Sequence, residues 1–250
     1  MKKTSERPSG ELVFGIHPIC EILRAKRRRL ISLYTTKPTP KGWQEIEKLL
    51  PSARSLPIQY VSRDKLTAIA GTIDHQGVVA WAQPLPMRKM PFDPKRHPFL
   101  MVLDGIQDPR NLGAIIRTAY CTGVNGIVLV KKNAAPLNAT ALKASAGLAE
   151  HLEVYVAPSI QDAVQTLRTA GYTIYIATFG GQDARQCAYQ SPCCIVVGSE
   201  GSGVTKSIER FGTSITLPQR TTDSSYNASV AAGIIMFLVA QHIGVLSTAK

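Results

Sequence analysis

The stretch CCIVVGSEGSGV, residues 193–204, decides how the second half of the chain is interpreted. A mostly apolar run of strand-forming residues leads directly into a loop with three glycines, one carboxylate and two hydroxyls. Glycine-rich loops after strands let a ligand approach the backbone closely. The sequence therefore predicts a ligand site at this turn, and the spacing of the glycines indicates which kind of ligand-binding loop it is.

The spacing argues against the two common phosphate-binding loops. A Walker loop needs Lys and then Ser or Thr after its last glycine, whereas Gly203 is followed by Val204. A Rossmann fingerprint needs G-x-G-x-x-G after the first strand of its domain. Here the loop is G-x-x-G-x-G and follows the fifth strand predicted after residue 98. A plain tight turn remains the alternative when the loop is considered by itself.

Helical and extended patterns alternate on both sides of this stretch, which predicts an α/β protein. We expect a mobile N-terminus (1–10), a small α/β domain (11–83), a linker (84–98) and a second domain (99–250). The linker holds five prolines and five basic residues.

In the second domain, strands alternating with helices predict a parallel sheet covered on both faces. The predicted strands there are FLMVLDGI, GIVLV, EVYVA, YTIYIATF, CCIVVG and SITLP. The predicted helices are NLGAIIRTAYCTG, ATALKASAGLAEHL, SIQDAVQTLRTAG, TKSIERF and a long final helix.

The chain is strongly basic, and the excess charge is concentrated in its first part. The formal net charge is +12, of which residues 1–98 carry +10 and residues 99–250 carry +2. Such a balance favours an anionic partner, most often nucleic acid. The run RAKRRR offers candidate phosphate contacts, although a solvated basic helix end is the alternative. These candidates are Arg24, Lys26, Arg27, Arg28 and Arg29.

The cysteines and histidines show no spacing that is typical of a metal site or a disulfide framework. The start of the chain lacks the apolar core of a signal peptide. The apolar stretch SVAAGIIMFLVA is shorter than a bilayer span requires and predicts a buried helix. We therefore expect a cytoplasmic protein without a metal and without a membrane partner.

Polar residues follow the ends of three predicted strands, in residues 103–119, 198–203 and 217–233. The carboxyl ends of parallel strands meet at one edge of a sheet, which is where open α/β sheets bind ligands. We therefore expect the three segments to form one site.

Together these segments resemble the SpoU (TrmH-like) family of RNA ribose 2′-O-methyltransferases, in the SPOUT superfamily. NLGAIIRTA, GSEGSG and SSYNASVA match its three motifs, except that Tyr226 stands where the family more often has Leu. FGIHPICEIL and HQGVVA look like its small substrate-binding domain, which is similar to a ribosomal-protein fold. LNATALKASAGLAE is close to the branch that methylates a guanosine of large-subunit ribosomal RNA.

The resemblance implies a trefoil-knotted, parallel-sheet methyltransferase domain that dimerises, with the active site at the subunit interface. It implies S-adenosylmethionine as cofactor and ribosomal RNA as partner. The expected reaction is 2′-O-methylation of a ribose, in a guanosine of 23S ribosomal RNA. The alternatives are a tRNA ribose methyltransferase of the same family and a catalytically silent RNA-binding protein.

The resemblance also implies roles for individual residues. The candidate catalytic residues are Arg117, Asn111, Glu200, Ser225 and Asn227. The candidate cofactor-binding residues are Gly198, Ser199, Gly201, Leu217, Tyr226 and Ser229. Further candidates for RNA contacts are Arg110, Lys143, Arg185 and Arg220.

Elementary chemistry limits what these residues can do. Because a neutral arginine is costly, we expect Arg117 to stabilise a developing alkoxide rather than to act as a base. A surface arginine paired with an acid is the alternative. Asn111 and Ser225 are equally suited to cap their helices. Glu200 could instead be a solvated surface acid.

Overall fold

The computed structural model of the protein describes residues 10–51, 56–199, 201–221 and 223–246. All but the last residue of the predicted mobile N-terminus therefore lies outside the described residues. The chain forms two compact units. The first comprises the residues up to Pro86 together with Leu137–His151, and the second comprises Met87–Pro136 and the residues from Leu152 onward.

The elements alternate between strands and helices through most of the chain. The strands are β1 (Glu11–Phe14), β2 (Leu30–Thr35), β3 (Ile58–Tyr60), β4 (Val78–Ala82), β5 (Phe99–Asp104), β6 (Gly126–Val130), β7 (Glu153–Ala157), β8 (Thr173–Asp183), β9 (Cys193–Gly198) and β10 (Thr213–Thr216). The α-helices are α1 (Ile16–Ala25), α2 (Trp43–Leu49), α3 (Arg63–Ala70), α4 (Pro109–Cys121), α5 (Ala139–Ala144), α6 (Ile160–Thr169) and α7 (Ala228–His242).

The first unit is built on a mixed sheet in the order β1-β4-β2-β3. Only β2 and β3 run parallel to each other; the pairs β1/β4 and β2/β4 are antiparallel. The predicted α/β class of this part is confirmed. The sequence analysis assigned no strand to β1, whose residues extend because they pair along β4 and bury Val13 and Phe14.

Residues 137–151, which the sequence analysis counted with the second domain, pack with the first unit. The single helix predicted for them is wrong, because the backbone turns left-handed at Ala146 (φ 54°) and Gly147 (φ 83°). The segment therefore forms the short helix α5 followed by a 3-10 turn, Leu148–His151. Helix α5 packs on β1 and the 3-10 turn packs on α1. A Cβ atom at Gly147 would lie 2.7 Å from the Pro18 Cα atom, so this close approach needs glycine.

The second unit contains a six-stranded, all-parallel sheet in the order β10-β8-β9-β5-β6-β7. The predicted parallel sheet is confirmed, and every predicted strand is present. Helix α6 begins at Ser159, whose hydroxyl accepts a hydrogen bond from the Asp162 amide at 3.1 Å. Gly171, which was expected to end α6, has φ +101° just beyond it. The segment TKSIERF forms a 3-10 helix (Lys206–Phe211) rather than an α-helix.

The predicted linker contains no helix or strand, apart from an isolated bridge between Arg88 and Tyr155. Its second half packs on the second unit. Phe92 is buried in the apolar core there, and the Arg88 guanidinium lies 4.6 Å from the centre of its ring. The trefoil knot stays a prediction.

Candidate cofactor and substrate site

Two adjoining cavities lie at the carboxyl edge of the parallel sheet. Strands β5, β8, β9 and β10 all end there, because the four strands run parallel. The polar segments that follow β5, β9 and β10 therefore lie together, as the sequence analysis expected.

The first cavity has a volume of about 470 Å³, which suits a small organic ligand. Its apolar wall comes from the ends of β8 and β9, the loop after β10 and one face of α7. These residues are Ala177, Val197, Leu217, Ala231 and Ile235. Among the predicted site residues, Gly198, Ser199, Gly201, Leu217, Ser225 and Tyr226 line this cavity.

The glycine loop forms one wall of the first cavity and is tightly folded. A Cβ atom at Gly198 would overlap the backbone of Gly203 and Val204, so only glycine fits there. The Gly203 amide donates to the Ser199 carbonyl at 2.9 Å, and the Ser202 amide donates to the Ser199 hydroxyl at 3.3 Å. The loop is thus shaped by its own hydrogen bonds.

Asp104 fastens the far end of this loop, a role that the sequence analysis missed. Its carboxylate is largely buried at the end of β5 and accepts a hydrogen bond from the Thr205 amide at 2.8 Å. A charged residue that ends a fully apolar strand is the signal that could have revealed it, since buried carboxylates need partners.

The second cavity has a volume of about 600 Å³ and a more polar lining. The residues that line this cavity but not the first are Ile106, Gln107, Asp108 and Asn111. Both cavities share Ser199, Gly201, Ser202 and Ala228. A ligand in one cavity would therefore lie next to a ligand in the other.

Asn111 and Asn227 join helices α4 and α7 at this edge. The Asn227 side-chain amide donates to the Asn111 Oδ1 atom at 3.3 Å. The Asn227 Oδ1 atom accepts from the Ser229 amide at 2.9 Å and thereby caps α7. The cap of α4 is Asp108, whose Oδ1 atom accepts from the Arg110 amide at 2.8 Å. The alternative cap roles of Asn111 and Ser225 are therefore wrong.

Other predicted site residues lie outside the two cavities. The Ser229 hydroxyl donates to the Asn227 Oδ1 atom at 2.6 Å, so it supports the helix cap. Arg110 and Arg117 are exposed on α4. In the part of the chain that the structure describes, none of these three lines either cavity. Glu200 lies outside the described residues.

The basic run of the first unit includes a buried ion cluster around Arg28. The Arg28 side chain is 1% exposed and forms salt bridges of 2.6 Å with both Glu11 and Glu150. It also donates to the Gln83 carbonyl at 2.9 Å. Burial raises the pKa of the Glu150 carboxyl, and the Arg28 guanidinium opposes that shift. The prediction that Arg28 binds RNA is wrong, because its guanidinium is buried and holds two carboxylates and a carbonyl of its own chain.

The rest of the run is also partly engaged. Arg24 pairs with Glu21, and Arg27 donates to the carbonyls of Glu150 and Pro86, each at 3.2 Å. Lys26 and Arg29 are exposed at the end of α1 and just before β2.

The remaining RNA-binding candidates lie in both units. In the first unit, Lys143 contacts the Gln76 side chain, and partial burial lowers the pKa of its amine. In the second unit, Arg185 pairs with Asp183 at 2.7 Å, and Arg220 is exposed. Their role in binding RNA stays a prediction.

The sequence analysis missed the residues that β8 and the loops contribute to the first cavity. Thr178 and Phe179 follow the buried part of β8, and the Phe179 ring is 71% exposed. Ser202, Lys206, Glu209 and Gln219 also line this cavity. The same edge rule that linked the other three segments applied to β8, so the signal was present.

Fold and site together define an α/β protein that holds a small organic molecule in a glycine-lined cavity beside a polar pocket. The SpoU rRNA methylase family matches residues 98–237, and its RNA 2′-O ribose methyltransferase substrate-binding domain matches residues 12–88. The chain belongs to the SpoU rRNA methylase family.

Curated relatives match over almost the whole chain. YacO of Bacillus subtilis, provisionally named as a TrmH family tRNA/rRNA methyltransferase, is 33% identical over 92% of this chain and 94% of its own length. The 23S rRNA (guanosine-2′-O-)-methyltransferase RlmB of Vibrio parahaemolyticus is 33% identical over 92% and 96%. The enzyme of the same name from Haemophilus influenzae is 32% identical over 94% and 99%.

Solved structures share the fold. An RNA 2′-O ribose methyltransferase superposes with a TM-score of 0.81 at 19% identity, over 94% of this chain and 89% of its own. AviRb from Streptomyces viridochromogenes, solved with AdoMet, gives 0.77 at 22% identity, over 94% and 91%.

No described helix is both long and apolar enough to span a bilayer. No group of three or more His, Cys, Asp or Glu residues within the described ranges is arranged to hold a metal ion.

Proposed function

We propose that this protein transfers a methyl group from S-adenosylmethionine to the 2′-hydroxyl of a ribose in RNA. The observation that carries the proposal is the pair of adjoining cavities, one apolar and glycine-lined and the other polar. A transferase that joins two substrates directly needs two such compartments in contact.

The first cavity fits the cofactor. Its volume of about 470 Å³ and its apolar wall suit an adenosine group. Gly198 lines this cavity, and the close packing of its backbone against Gly203 and Val204 lets the loop form the cavity wall. The relatives' family and the AdoMet-bound structures that share the fold support this assignment. S-adenosylmethionine supplies its methyl group on a sulfonium, an electrophile that needs no further activation.

The second cavity then receives the ribose. Asn111 lines it and is held by Asn227, so the pair is positioned to orient the sugar. The ribose oxygen would gain the methyl group as the bond between that methyl and sulfur breaks, which would leave the cofactor as a neutral thioether, and the oxygen would release its proton to solvent. Arg117 stabilises the negative charge that develops on this oxygen and contacts a neighbouring phosphate. Glu200 and Ser225 keep the supporting roles that the family resemblance implies.

The target that we propose is a guanosine of 23S ribosomal RNA, in the cytoplasm. The relatives named for that reaction, each covering more than nine-tenths of this chain, support it. A tRNA target is the second candidate, because the YacO relative is named for tRNA and rRNA alike. The substrate-binding domain in residues 12–88 favours the ribosomal target over the simplest tRNA enzymes.

We further propose that the chain acts as a homodimer formed through α4 and α7. One face of α7 is apolar and exposed, at Val230, Ile234 and Phe237. Arg117 lies on the neighbouring α4 and lines neither cavity of its own chain, as far as the described residues extend. A second copy that covers the apolar face would bring its Arg117 to the site of the first.

The reaction is tested with purified protein, methyl-labelled S-adenosylmethionine and two RNAs in separate tubes. The RNAs are a 23S transcript and total tRNA, and ribose methylation is mapped by primer extension. We expect transfer to one position of the 23S transcript. Transfer to tRNA alone would favour the second candidate, and RNA binding without transfer to either would favour a silent binder. Arg117→Ala should reduce transfer about 100- to 1,000-fold with cofactor affinity nearly unchanged.

Subunit complementation tests the dimer. Arg117→Ala and Gly198→Ala are each expected to be inactive, the second because its new methyl group would overlap the backbone of Gly203 and Val204 and so displace the loop that forms the cavity wall. If Arg117 serves the partner's cavity, mixing and refolding the two variants should restore about a quarter of the wild-type activity, since half of the dimers then hold one intact site. The two variants carry different affinity tags, so that sequential purification on both tags isolates the mixed dimers. If the isolated mixed dimers have no activity, Arg117 does not act across the interface.

A further inference from the structure

Basic residues lie at both ends of the strands in the sheet of the first unit, but acids pair with them to different extents. At one edge, β2 begins and β4 ends, and the Arg28 cluster lies there. At the other edge, β2 and β3 end and β4 begins. We call this second region the Tyr60 edge and define it by Lys37, Lys41, Tyr60, Arg63 and Lys65.

Acids neutralise part of the positive charge at the Arg28 edge. Arg28 pairs with Glu11 and Glu150, and Arg24 pairs with Glu21. Lys26 and Arg29 are exposed there and form no salt bridge among the described residues, and Arg24 is exposed but paired with Glu21. The cluster that the sequence made prominent therefore presents less positive charge to a polyanion than its composition suggests.

The Tyr60 edge carries more exposed cations that form no salt bridge among the described residues. Its four cations are all exposed. None of them forms a salt bridge within the described ranges 10–51, 56–199, 201–221 and 223–246. Asp64 and Asp74 are exposed at the same edge, and Glu45 is exposed in the first turn of α2, so acids only partly offset the cations.

An aromatic ring lies among these cations. Tyr60 is the last residue of β3, which is the outermost strand of the sheet, and it pairs with Thr35 of β2. The ring is 48% exposed, and the Lys37 amine lies 4.3 Å from its centre. Exposed aromatic rings between cations are the usual platform for unpaired nucleotides, because every base has a face that can stack.

We propose that the Tyr60 edge, and not the arginine run, is the main RNA-docking surface of the first unit. An unpaired base stacks on Tyr60, while Lys37, Lys41, Arg63 and Lys65 contact the phosphates on either side. The inference rests on the proposed function in that the partner is RNA. It adds the place of contact and the single-stranded character of the RNA that binds there.

The test measures binding by fluorescence anisotropy with a labelled 30-nucleotide single-stranded RNA of mixed sequence and with a 23S transcript. Tyr60→Ala should weaken binding of the single strand about tenfold, the effect of losing one stacked base. Tyr60→Phe keeps the ring and should bind within about twofold of wild type. A loss that is equal for the Phe and Ala variants would overturn stacking.

Two double variants compare the edges at equal charge. Lys37→Gln with Arg63→Gln removes two cations from the Tyr60 edge, and Lys26→Gln with Arg29→Gln removes two from the Arg28 edge. We expect the first pair to weaken binding at least about tenfold and to lower the salt slope by about 1.4, since two phosphate contacts to a single strand are lost. The second pair should change affinity less than about threefold. Equal losses in both pairs, or a larger loss in the second, would overturn the proposal.

The same samples separate this inference from the proposed reaction. Transfer at saturating RNA measures the methyltransferase site, which these substitutions leave intact. If wild-type protein binds RNA at the Tyr60 edge but transfers no methyl group to any RNA, the proposed function fails and the docking surface stands. If transfer is normal and the Tyr60 edge variants bind like wild type, the docking surface is wrong and the function stands.

Discussion

The Arg28 cluster of the first unit and the cavity edge of the second unit use polar side chains in opposite ways. Arg28 is buried, and its guanidinium donates hydrogen bonds to groups of its own chain. At the cavity edge, Asn111 is only partly buried and its partner Asn227 is exposed, so both remain accessible to a ligand. Residues of the first kind should govern stability, and residues of the second kind should govern binding and transfer.

The largest effect that this comparison predicts is in the Arg28 cluster. Arg28→Met leaves the Glu150 carboxylate buried without its partner, so we expect the free energy of unfolding to fall by about 3–5 kcal/mol. Urea unfolding measures it. Arg29→Met, at an exposed neighbouring position, is the control and should cost less than about 0.5 kcal/mol. The double variant Arg28→Met with Glu150→Leu should recover most of the loss. If the double variant is less stable than the single one, the pairing does not explain the effect.

The next largest effect is at the cavity wall. In Gly198→Ala the new methyl group would overlap the backbone of Gly203 and Val204, which must move into or away from the cavity. We expect the affinity for S-adenosylmethionine to fall at least about 100-fold, measured by calorimetry. Gly233→Ala on α7 is the control, because its new methyl group would meet only the Thr118 side chain at 3.5 Å. An unchanged affinity in Gly198→Ala would mean that the ligand does not use this loop.

A smaller effect should distinguish the role of Asn227 as the cap of α7 from its role at the site. Asn227→Asp keeps the oxygen that caps α7 but loses the amide that donates to Asn111. Because one hydrogen bond is lost, we expect kcat to fall about fivefold to tenfold. Stability should change by less than about 0.5 kcal/mol, since Asp caps helices as well as Asn. Asn227→Ala should lower both. A stability loss in Asn227→Asp as large as that in Asn227→Ala would assign the residue to the fold alone.

The smallest effect concerns Tyr226. Its ring lines the first cavity and is 42% exposed, and its hydroxyl donates to the Pro218 carbonyl of the same loop at 3.3 Å. Tyr226→Leu restores the residue that is usual in the family and keeps an apolar contact, so cofactor affinity should stay within about threefold. A change of more than tenfold in the binding isotherm would show that the aromatic ring itself holds the cofactor.

Local patterns were sufficient for most of the second unit. Strands that are buried on both faces read as continuous apolar runs, and β5, β6 and β9 were predicted on that basis. The capped start of α6 at Ser159 and its end before Gly171 follow from the same local chemistry. Strand β1 was missed because four residues carry too short a pattern, and its extended form depends on pairing with β4.

The site was predictable only in part. Parallel strands bring their carboxyl ends to one edge whatever the details, so the three polar segments were expected to meet. Which residue caps which helix depends on backbone geometry, and Asp108 and Asn227 took roles that Asn111 and Ser225 could equally have filled. The positions of Asp104 and Phe179 at strand ends were readable in the sequence, but their partners, the Thr205 amide and the first cavity, were not, because these come from other parts of the chain.

Composition, periodicity and three short motifs were enough to establish the α/β class, the parallel sheet and the family, because these depend on near neighbours and strand order. They could not distinguish a cation that binds a ligand from one that holds the fold. Arg28 and Arg29 are adjacent in the same basic run, yet one is enclosed with Glu150 and the other is exposed. Burial and pairing of a charge depend on partners more than a hundred residues away, so only the folded chain separates the two.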